Sequence, residues 1–263
     1  MTISLPDERR LADLGKRVRD ARRVTVLTGA GISAASGVPT FRGAGGLWRT
    51  FRAEDLATPE AFERDPALVW EWYDWRRSLV AQCRPNAAHE ALARLSLREG
   101  TTLITQNVDG LHEQALQQAQ GKPSEAQGAA TRDVITFHGS IWHLRCALDC
   151  GAALASWEDR RVPLPDLPPR CPGCGGYARP AVVWFGEPID TAIMNACVAA
   201  TACDIYLSVG TSSLVHPAAG LMARAKSRGA YTVEINPDPT AHAQFVHLAI
   251  ALRAEEALPL VYS

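Results

Sequence analysis

The chain has 263 residues, with 27 basic and 28 acidic side chains for a formal net charge of −1, and 47% of it is hydrophobic. That apolar share supports a packed core and argues against disorder, and the length suits one α/β domain or a large domain carrying a smaller module. A charge near zero offers no general attraction to nucleic acid or to an anionic membrane, so neither is an expected partner.

Residues Met1 to Arg10 are polar and of mixed charge. They lack the apolar stretch of a secretory signal and keep acidic residues that a transit peptide avoids, so a cytoplasmic location is expected. No apolar run approaches the roughly 20 residues of a membrane span. Apolar spacing predicts a helix over Asp7 to Arg22, followed by a short buried strand at Val24 to Leu27 that ends in Thr28-Gly29-Ala30-Gly31. Gly29-x-Gly31-x-x-Ala34 after a strand has the context of a dinucleotide fingerprint. There the glycines allow a tight turn and let backbone N–H groups approach a pyrophosphate at a helix N-terminus. The same spacing also fits an ordinary strand-to-helix turn, and no acidic residue closes a second strand about twenty residues on. Instead Pro39 to Gly46 forms a Gly-rich loop, long for a βα connection and expected to be a mobile cofactor lid.

Asp65 and Pro66 supply an N-cap and a first-turn proline for a helix running through Trp70 and Tyr73 toward Val80. A second helix is predicted from Asn86 to Leu95 and a strand from Thr101 to Thr105, which leads into the loop Gln106-Asn107-Val108-Asp109. Gln117 to Ala130 is Gln/Ala/Gly-rich and reads as a mobile surface loop. A strand at Val134 to Phe137 ends at His138. From Ile141 to Pro180 the composition changes, with close cysteine pairs and a Pro-rich segment, and suggests an inserted module. Strands resume at Ala181 to Phe185, Ile205 to Val209 and Tyr231 to Ile235, with helices between. Alternating strands and helices predict a mostly parallel sheet covered on both faces.

Of seven cysteines, four form the pattern Cys146-x3-Cys150, twenty residues, Cys171-x2-Cys174. Four thiolates at this spacing close a tetrahedral Zn²⁺ site, with Pro172 and Gly173 as the knuckle. With all four positions filled there is no place for a catalytic water, so the predicted zinc is structural, one per chain. Two disulfides or four free thiols are the weaker alternatives in a cytosolic chain. His138 stands at a strand end, where ligands of α/β folds bind, and is a general-base candidate, although a lone histidine is as often structural. Asn107 and Asp109 carry the same ambiguity, since Asp109 could simply cap a helix beginning near Leu111.

Together these segments resemble the sirtuins. The resemblance rests on Gly29-Ala30-Gly31-Ile32-Ser33, Pro39-Thr40-Phe41-Arg42, Thr105-Gln106-Asn107-Val108-Asp109-Gly110-Leu111-His112 and Phe137-His138-Gly139-Ser140. It rests also on the cysteine quartet, Val183-Trp184-Phe185-Gly186-Glu187, Gly210-Thr211-Ser212 and Glu234-Ile235-Asn236. These run in the family's order from about residue 20 onward. The resemblance implies a Rossmann-like parallel sheet with helices on both faces, plus a small zinc-binding module and a helical insertion. Residues 1–38, 81–140 and 181–263 would form the NAD-binding domain, 39–80 the cofactor loop and helical insertion, and 141–180 the zinc module.

It also implies NAD-dependent removal of acyl groups from lysines of proteins or peptides. In that reaction the acyl oxygen attacks C1′ of the nicotinamide ribose, nicotinamide leaves, and His138 acts as general base on a ribose hydroxyl, giving 2′-O-acyl-ADP-ribose. By the same resemblance Asn107 orients the ribose or a water and Asp109 holds the nicotinamide amide. Gly29, Ala30, Gly31, Ser33, Thr40, Phe41, Arg42, Gln106 and Val108 surround the cofactor. Gly210, Thr211 and Ser212 approach its phosphates and ribose, and Asn236, Pro237, Asp238 and Ala254 its adenosine end. Val183, Phe185, Gly186 and Glu187 line the peptide groove and pair with the peptide as an added strand. Two departures from the family pattern are the three-residue spacing of the first cysteine pair and Leu252-Arg253-Ala254-Glu255 in place of a Gly-containing turn.

Tyr73 and Arg76 fall at i, i+3 on one helix face. A guanidinium binds a carboxylate bidentately and a phenol adds a third hydrogen bond. On sequence alone this is equally an aromatic core stripe with a solvated arginine. Within the family, Tyr-x-x-Arg with the small Ala57 is similar to the branch that removes succinyl and malonyl groups, with deacetylation as a second activity. The rival readings are a protein ADP-ribosyltransferase, a dehydrogenase, and a non-catalytic zinc-stabilised NAD-sensing module. A DNA-binding role for the module is poorly supported, because acidic residues offset its arginines and no recognition helix is evident.

Overall fold

The computed structural model describes residues 5–39, 50–121, 134–151 and 155–262. The chain opens with α1 (Leu5–Asp20), β1 (Val24–Thr28) and a 3-10 helix (Ala30–Ser36). An all-helical run follows: α2 (Ala53–Leu56), α3 (Pro59–Arg64), α4 (Pro66–Gln82) and α5 (Ala87–Ser96). Next come β2 (Thr101–Thr105), α6 (Leu111–Ala119), β3 (Ile135–Thr136), β4 (Gly139–Cys146), β5 (Trp157–Glu158) and β6 (Ala178–Val182). The last part holds α7 (Thr191–Ala200), β7 (Ile205–Val209), α8 (Gly220–Ser227), β8 (Tyr231–Ile235), β9 (Leu248–Ile250) and α9 (Ala254–Val261).

Six strands form one sheet in the order β3-β2-β1-β7-β8-β9, and every pairing in it is parallel. Numbered within the sheet, that is the doubly wound order 3-2-1-4-5-6, whose connections reverse direction between β1 and β7. Strands buried on both faces read as apolar runs, and the two-residue pleat sorts their side chains. Val24, Val26, Leu207 and Val209 pack with α1, α5 and α9 on one side. Leu27, Ile104 and Tyr206 pack with α7 and α8 on the other.

The second sheet is small and antiparallel, with order β5-β4-β6. It shares a separate core with α2, α3 and α4, built from Leu56, Phe62, Trp70, Tyr73, Trp142 and Trp184 among others. Helix starts follow the residue chemistry. Asp65 caps α4 by accepting from Leu68 N at 3.0 Å, with Pro66 in the first turn. Thr58 caps α3 in the same way. Asn86 caps α5 by accepting from Ala88 N, while His89 returns a bond to the Asn86 backbone.

The fold departs from expectation in three places. The turn after β1 is a 3-10 helix, because Gly29 O accepts from Ile32 N three residues on and left-handed Gly37 ends the turn. The strand expected at Ala181 to Phe185 instead spans Ala178–Val182. It stops there because the Glu187 carboxylate captures Trp184 N at 2.8 Å and pulls the chain into a turn. Finally, Gln117 to Ala119 continue α6 rather than opening a loop. The expected lid from residue 40 to 46, including Thr40, Phe41 and Arg42, and the 122–130 part of the Gln-rich loop lie outside the described residues. No described helix is long and apolar enough to cross a membrane.

One charged side chain fastens α4 to the small module. Arg77 is fully buried and donates to the carbonyls of Ile141, Asp159 and Arg161 at 2.8, 2.6 and 3.0 Å. The Asp159 carboxylate lies 3.8 Å away. Replacing Arg77 by leucine leaves those acceptors without their donor and should cost about 3–5 kcal/mol of stability. Urea unfolding followed by tryptophan fluorescence measures this, and an unchanged midpoint would show that the clamp contributes nothing net.

Candidate active site

At the reversal point the ends of β1 and β7 touch through their backbones. Gly29 N donates to Val209 O at 3.1 Å and Gly31 N to Gly210 O at 2.9 Å. A Cβ on Gly29 or Gly31 would meet Gly210 O within 2.9 Å, and Gly210 itself takes a left-handed φ of 60°. The fingerprint glycines are therefore required by strand-end packing, and their N–H groups are spent on the β7 loop. Half-buried Ala30 opens the 3-10 helix, and Ile32 and Ser33 turn inward.

Ser33 lies at the centre of a buried polar network. Its hydroxyl donates to Asp109 Oδ2 at 2.7 Å and receives Asn107 Nδ2 at 3.0 Å. Asn107 Nδ2 also reaches Gly29 O at 3.2 Å, so the loop after β2 is tied to the loop after β1. Asp109 Oδ1 accepts from Leu111 N, the helix-start contact anticipated for Asp109 at α6. Burial raises the Asp109 pKa, opposed chiefly by the Leu111 amide and the Ser33 hydroxyl. The network extends to residues that sequence reasoning missed. His89 Nε2 is 3.3 Å from Ser33 Oγ, and Thr28 Oγ1 touches both Thr105 Oγ1 and His112 Nε2 at 2.9 Å. The Asn86-x-x-His89 capping spacing was the signal available for His89. Trp142 was also missed, and its indole N–H holds Asp109 O at 2.7 Å from the small sheet.

His138 follows β3, and its Nδ1 lies 3.0 Å from Gln106 O. A carbonyl only accepts, so Nδ1 carries the proton and Nε2 keeps its lone pair. Burial lowers the His138 pKa, partly offset by that carbonyl. His138 O in turn accepts from Val183 N at 3.0 Å, which places the Val183–Glu187 segment beside the histidine.

Along that segment Trp184 N is held by Glu187 and Phe185 N by Ala57 O at 2.9 Å. Phe185 and Gly186 are exposed. Glu187 is clamped by Arg179, with Nη2 at 2.8 Å, and the Arg179 guanidinium lies 3.3 Å from the Trp184 ring centroid. Val108 is half-buried against the same core, and its carbonyl accepts from Ile141 N.

Tyr73 is buried in the second core with Ala57, and its hydroxyl accepts from Trp184 Nε1 at 2.9 Å. Burial pushes its pKa up to about 12, so it stays a neutral phenol. Half-buried Arg76 lies over the rings of Trp72 and Tyr73, 4.8 and 5.7 Å from their centroids. Desolvation lowers its pKa, opposed by Tyr73 and Asp109.

On the other side of the reversal point, Gln106, Ser208, Thr211, Ser213 and His242 line a pocket at the β7 end. Ser212 Oγ accepts from Leu214 N. Asn236 Nδ2 donates to Thr211 O at 2.6 Å, so the end of β8 joins this loop. Exposed Pro237 and Asp238 continue from it. Ala254 differs in that the whole residue is 3% exposed, packed inside the main core.

The four sulfurs of Cys146, Cys150, Cys171 and Cys174 lie within 4.8 Å of one another. Cys146 to Cys174 is 3.6 Å and Cys150 to Cys171 is 3.9 Å, too long for disulfides. A tetrahedron with zinc–sulfur bonds of about 2.3 Å has edges of about 3.8 Å, so the cluster fits a structural zinc site. Backbone N–H groups of Leu148 and Gly173 point at Cys146 and Cys171 sulfurs at 3.4 Å, as thiolate ligands require.

Residues 29–217 match the Sir2 family. An NAD-dependent protein deacylase of Aquifex aeolicus is 45% identical over 242 residues, covering 91% of this chain and 93% of the relative. Among solved structures, a Sir2 homologue in complex with NAD aligns with a TM-score of 0.82 at 39% identity, covering 95% of this chain and 91% of the other. A triple mutant of a Sir2 homologue bound to 2′-O-acetyl ADP-ribose aligns with a TM-score of 0.83 at 40% identity, covering 95% and 94%.

Elemental analysis of the purified protein should find one zinc per chain. Cys171→Ser should lose most of it and lower the melting temperature, because a structural zinc contributes folding free energy directly. Full-length protein that melts at the same temperature with and without metal would remove zinc from the fold's support.

Proposed function

The chain belongs to the Sir2 family, and on that footing we propose that it removes acyl groups from lysine side chains of proteins or peptides. The reaction consumes NAD and yields nicotinamide and 2′-O-acyl-ADP-ribose. The observation that carries this reading is that Asn107 and Asp109 bond to Gly29 and Ser33 of the turn after β1, while His138, distant from them in sequence, bonds the adjoining Gln106 carbonyl. Residues 1–38, 81–140 and 181–263 act as the NAD-binding domain, 39–80 as the cofactor loop and helical insertion, and 141–180 as the zinc module. The cytoplasm is the proposed place of work, and no described helix is long and apolar enough to cross a membrane.

Bound NAD supplies a glycosidic bond whose nicotinamide departs as a neutral group. The chain's own residues do the rest. Asp109 accepts from the nicotinamide amide, its two oxygens already oriented by Ser33 and Leu111. Asn107 has its Nδ2 protons directed at Gly29 and Ser33, which turns Oδ1 toward a ribose hydroxyl or a water. His138 accepts a proton at Nε2 from a ribose hydroxyl, and the Gln106 carbonyl stabilises the cation that results. Gly29, Ala30, Gly31, Gln106 and Val108 surround the cofactor, and Thr40, Phe41 and Arg42, which lie outside the described residues, are assigned to it as well. Gly210, Thr211, Ser212, Asn236, Pro237, Asp238 and Ala254 are assigned to the phosphates and adenosine. The peptide lies along Val183 to Glu187. Since Val183, Trp184 and Phe185 spend their N–H groups internally and Trp184 O accepts from Glu187 N, that pairing runs through the Val183 and Phe185 carbonyls and the Gly186 N–H.

We further propose that succinyl and malonyl lysines are substrates alongside acetyl lysine. The Tyr73 hydroxyl accepts from Trp184, so its own proton is the one it offers to an acyl carboxylate. Arg76, desolvated beside it on the same helix face, supplies the charge. Ala57 leaves room.

Replacing His138 by alanine should abolish acyl transfer with zinc content unchanged, and product formation at the original rate would remove it from the mechanism. In the unmodified enzyme, the acid limb of kcat/KM should fall below the ordinary histidine pKa of about 6.5, because burial keeps His138 neutral to lower pH. Arg76→Met should cut desuccinylation by about ten- to a hundredfold, the worth of a charge-assisted hydrogen bond, and spare deacetylation. Mass analysis of matched acetyl- and succinyl-lysine peptides decides it, and equal losses on both would refute the acidic-acyl assignment.

A further inference from the structure

We infer that His89 is a positioning residue of this site, which as its Nε2–H tautomer donates to Ser33 and thereby commits the serine proton to Asp109. The inference rests on the reading of Asp109 as the group that meets the nicotinamide amide. It follows from counting protons along one buried chain. Asn86 N points at His89 Nδ1 at 3.3 Å, and a peptide N–H can only donate. Nδ1 must therefore present a lone pair, and the neutral ring carries its proton on Nε2. Nε2 faces Ser33 Oγ at 3.3 Å. Asn107 Nδ2 supplies a second donor to the same oxygen at 3.0 Å. A serine hydroxyl has two lone pairs and one proton. Both lone pairs are filled, so the proton goes to Asp109 Oδ2, the shortest contact of the set at 2.7 Å. Asp109 Oδ1 receives Leu111 N, and the carboxylate is held as an acceptor on both oxygens.

The surroundings keep this arrangement in one state. His89 is fully buried, and burial lowers its pKa to about 4, so the ring remains neutral. A protonated ring would turn Nδ1 into a donor facing the Asn86 N–H. The His112 ring from α6 packs 4.7 Å away, itself neutral through burial, and Asp109 stands across Ser33. His89 occupies the N3 position of α5, where a Glu or Gln side chain normally completes a capping box. That coincidence makes the donor role separable from the capping role. Gln accepts from Asn86 N through its oxygen and still donates through its amide nitrogen. Glu caps equally well but has no proton to give. Leu does neither.

The test measures KM for NAD, KM for the peptide and the nicotinamide concentration for half-inhibition in the full-length zinc-loaded enzyme. His89→Glu and His89→Leu should raise KM for NAD and the half-inhibiting nicotinamide concentration by about tenfold, the scale of one buried hydrogen bond, with peptide KM unchanged. His89→Gln should recover most of that loss. On a Ser33→Ala background, His89→Leu should add nothing further. A merely structural role would move peptide KM and the melting temperature together and would not separate Gln from Glu. Ring ¹⁵N NMR of the unmodified protein provides a readout that needs neither activity nor a folded variant, with Nε2 expected as the protonated nitrogen and Nδ1 as the bare acceptor. The opposite tautomer, or equal kinetics for Gln and Glu variants, overturns the inference. If the unmodified protein lacks deacylase activity but shows the expected tautomer, the proposed function fails and the hydrogen-bond chain stands.

Discussion

The backbone contact between Gly31 and Gly210 sets the geometry on which the rest of the site depends. Parallel strands diverge beyond their carboxyl ends, and at a reversal point nothing crosses over to fill the gap. Here the β1 and β7 loops lean together until Gly31 N donates to Gly210 O, a distance only glycines permit. The lean turns the first residues after β1 into a 3-10 turn and drives Ser33 beneath it rather than outward. From that depth the Ser33 hydroxyl reaches the loop after β2. A Cβ at either glycine would therefore act on Asn107 and Asp109 at one remove, by displacing the serine that orders them.

The small module reaches the same loop from the other side. Trp142 on β4 holds Asp109 O, and its ring lies 5.2 Å from the Arg77 guanidinium. Arg77 belongs to α4, which also sends Trp70 Nε1 to Ala178 O on β6 and Asp74 Oδ1 to Leu164 N. Tyr73 and Arg76 ride on that helix. Apolar packing holds it against the module, and these polar ties fix its register there, since a shift of an ångström breaks a buried bond. The zinc cluster lies at the far end of β4 and β6. Metal, helix and Asp109 carbonyl are consequently parts of one connected frame, which explains how a metal with no open coordination position bears on a reaction it does not touch.

Much of this was legible in the sequence because local chemistry and burial agree. The central strands read as apolar runs between turn residues, Asp65-Pro66 announced its helix, and the cysteine spacing announced its cluster. Three kinds of feature were not legible. Short strands such as Leu248–Ile250 carry too few residues for a pattern and form only because β8 offers an open edge. The Val183–Glu187 segment has strand composition, but its own Glu187 carboxylate captures the Trp184 N–H three residues back. Long-range polar partners were least visible of all. Trp142 and His89 look like core residues in one dimension, and their indole and imidazole N–H groups find Asp109 and Ser33 only after the chain has folded. Asp109 shows the converse, since the local contact to Leu111 N, which its spacing announced, leaves its second oxygen for the long-range contact to Ser33.

The acyl end of the site turns on how a desolvated guanidinium is balanced. Arg76 sits over aromatic rings and loses hydration that the phenol dipole and the Asp109 charge only partly restore. A cation left in that condition favours any ligand that brings a negative charge to it, because the desolvation cost is already borne by the folded protein. An acetyl group brings none and gains only the apolar contact with Ala57 and its neighbours. On the proposed reading, a succinyl or malonyl group would bring a carboxylate with matching fork geometry and take the Tyr73 proton as a third bond. The acidic acyl group would thereby add a carboxylate to a guanidinium already stacked over Trp72 and Tyr73 on a helix packed into the second core.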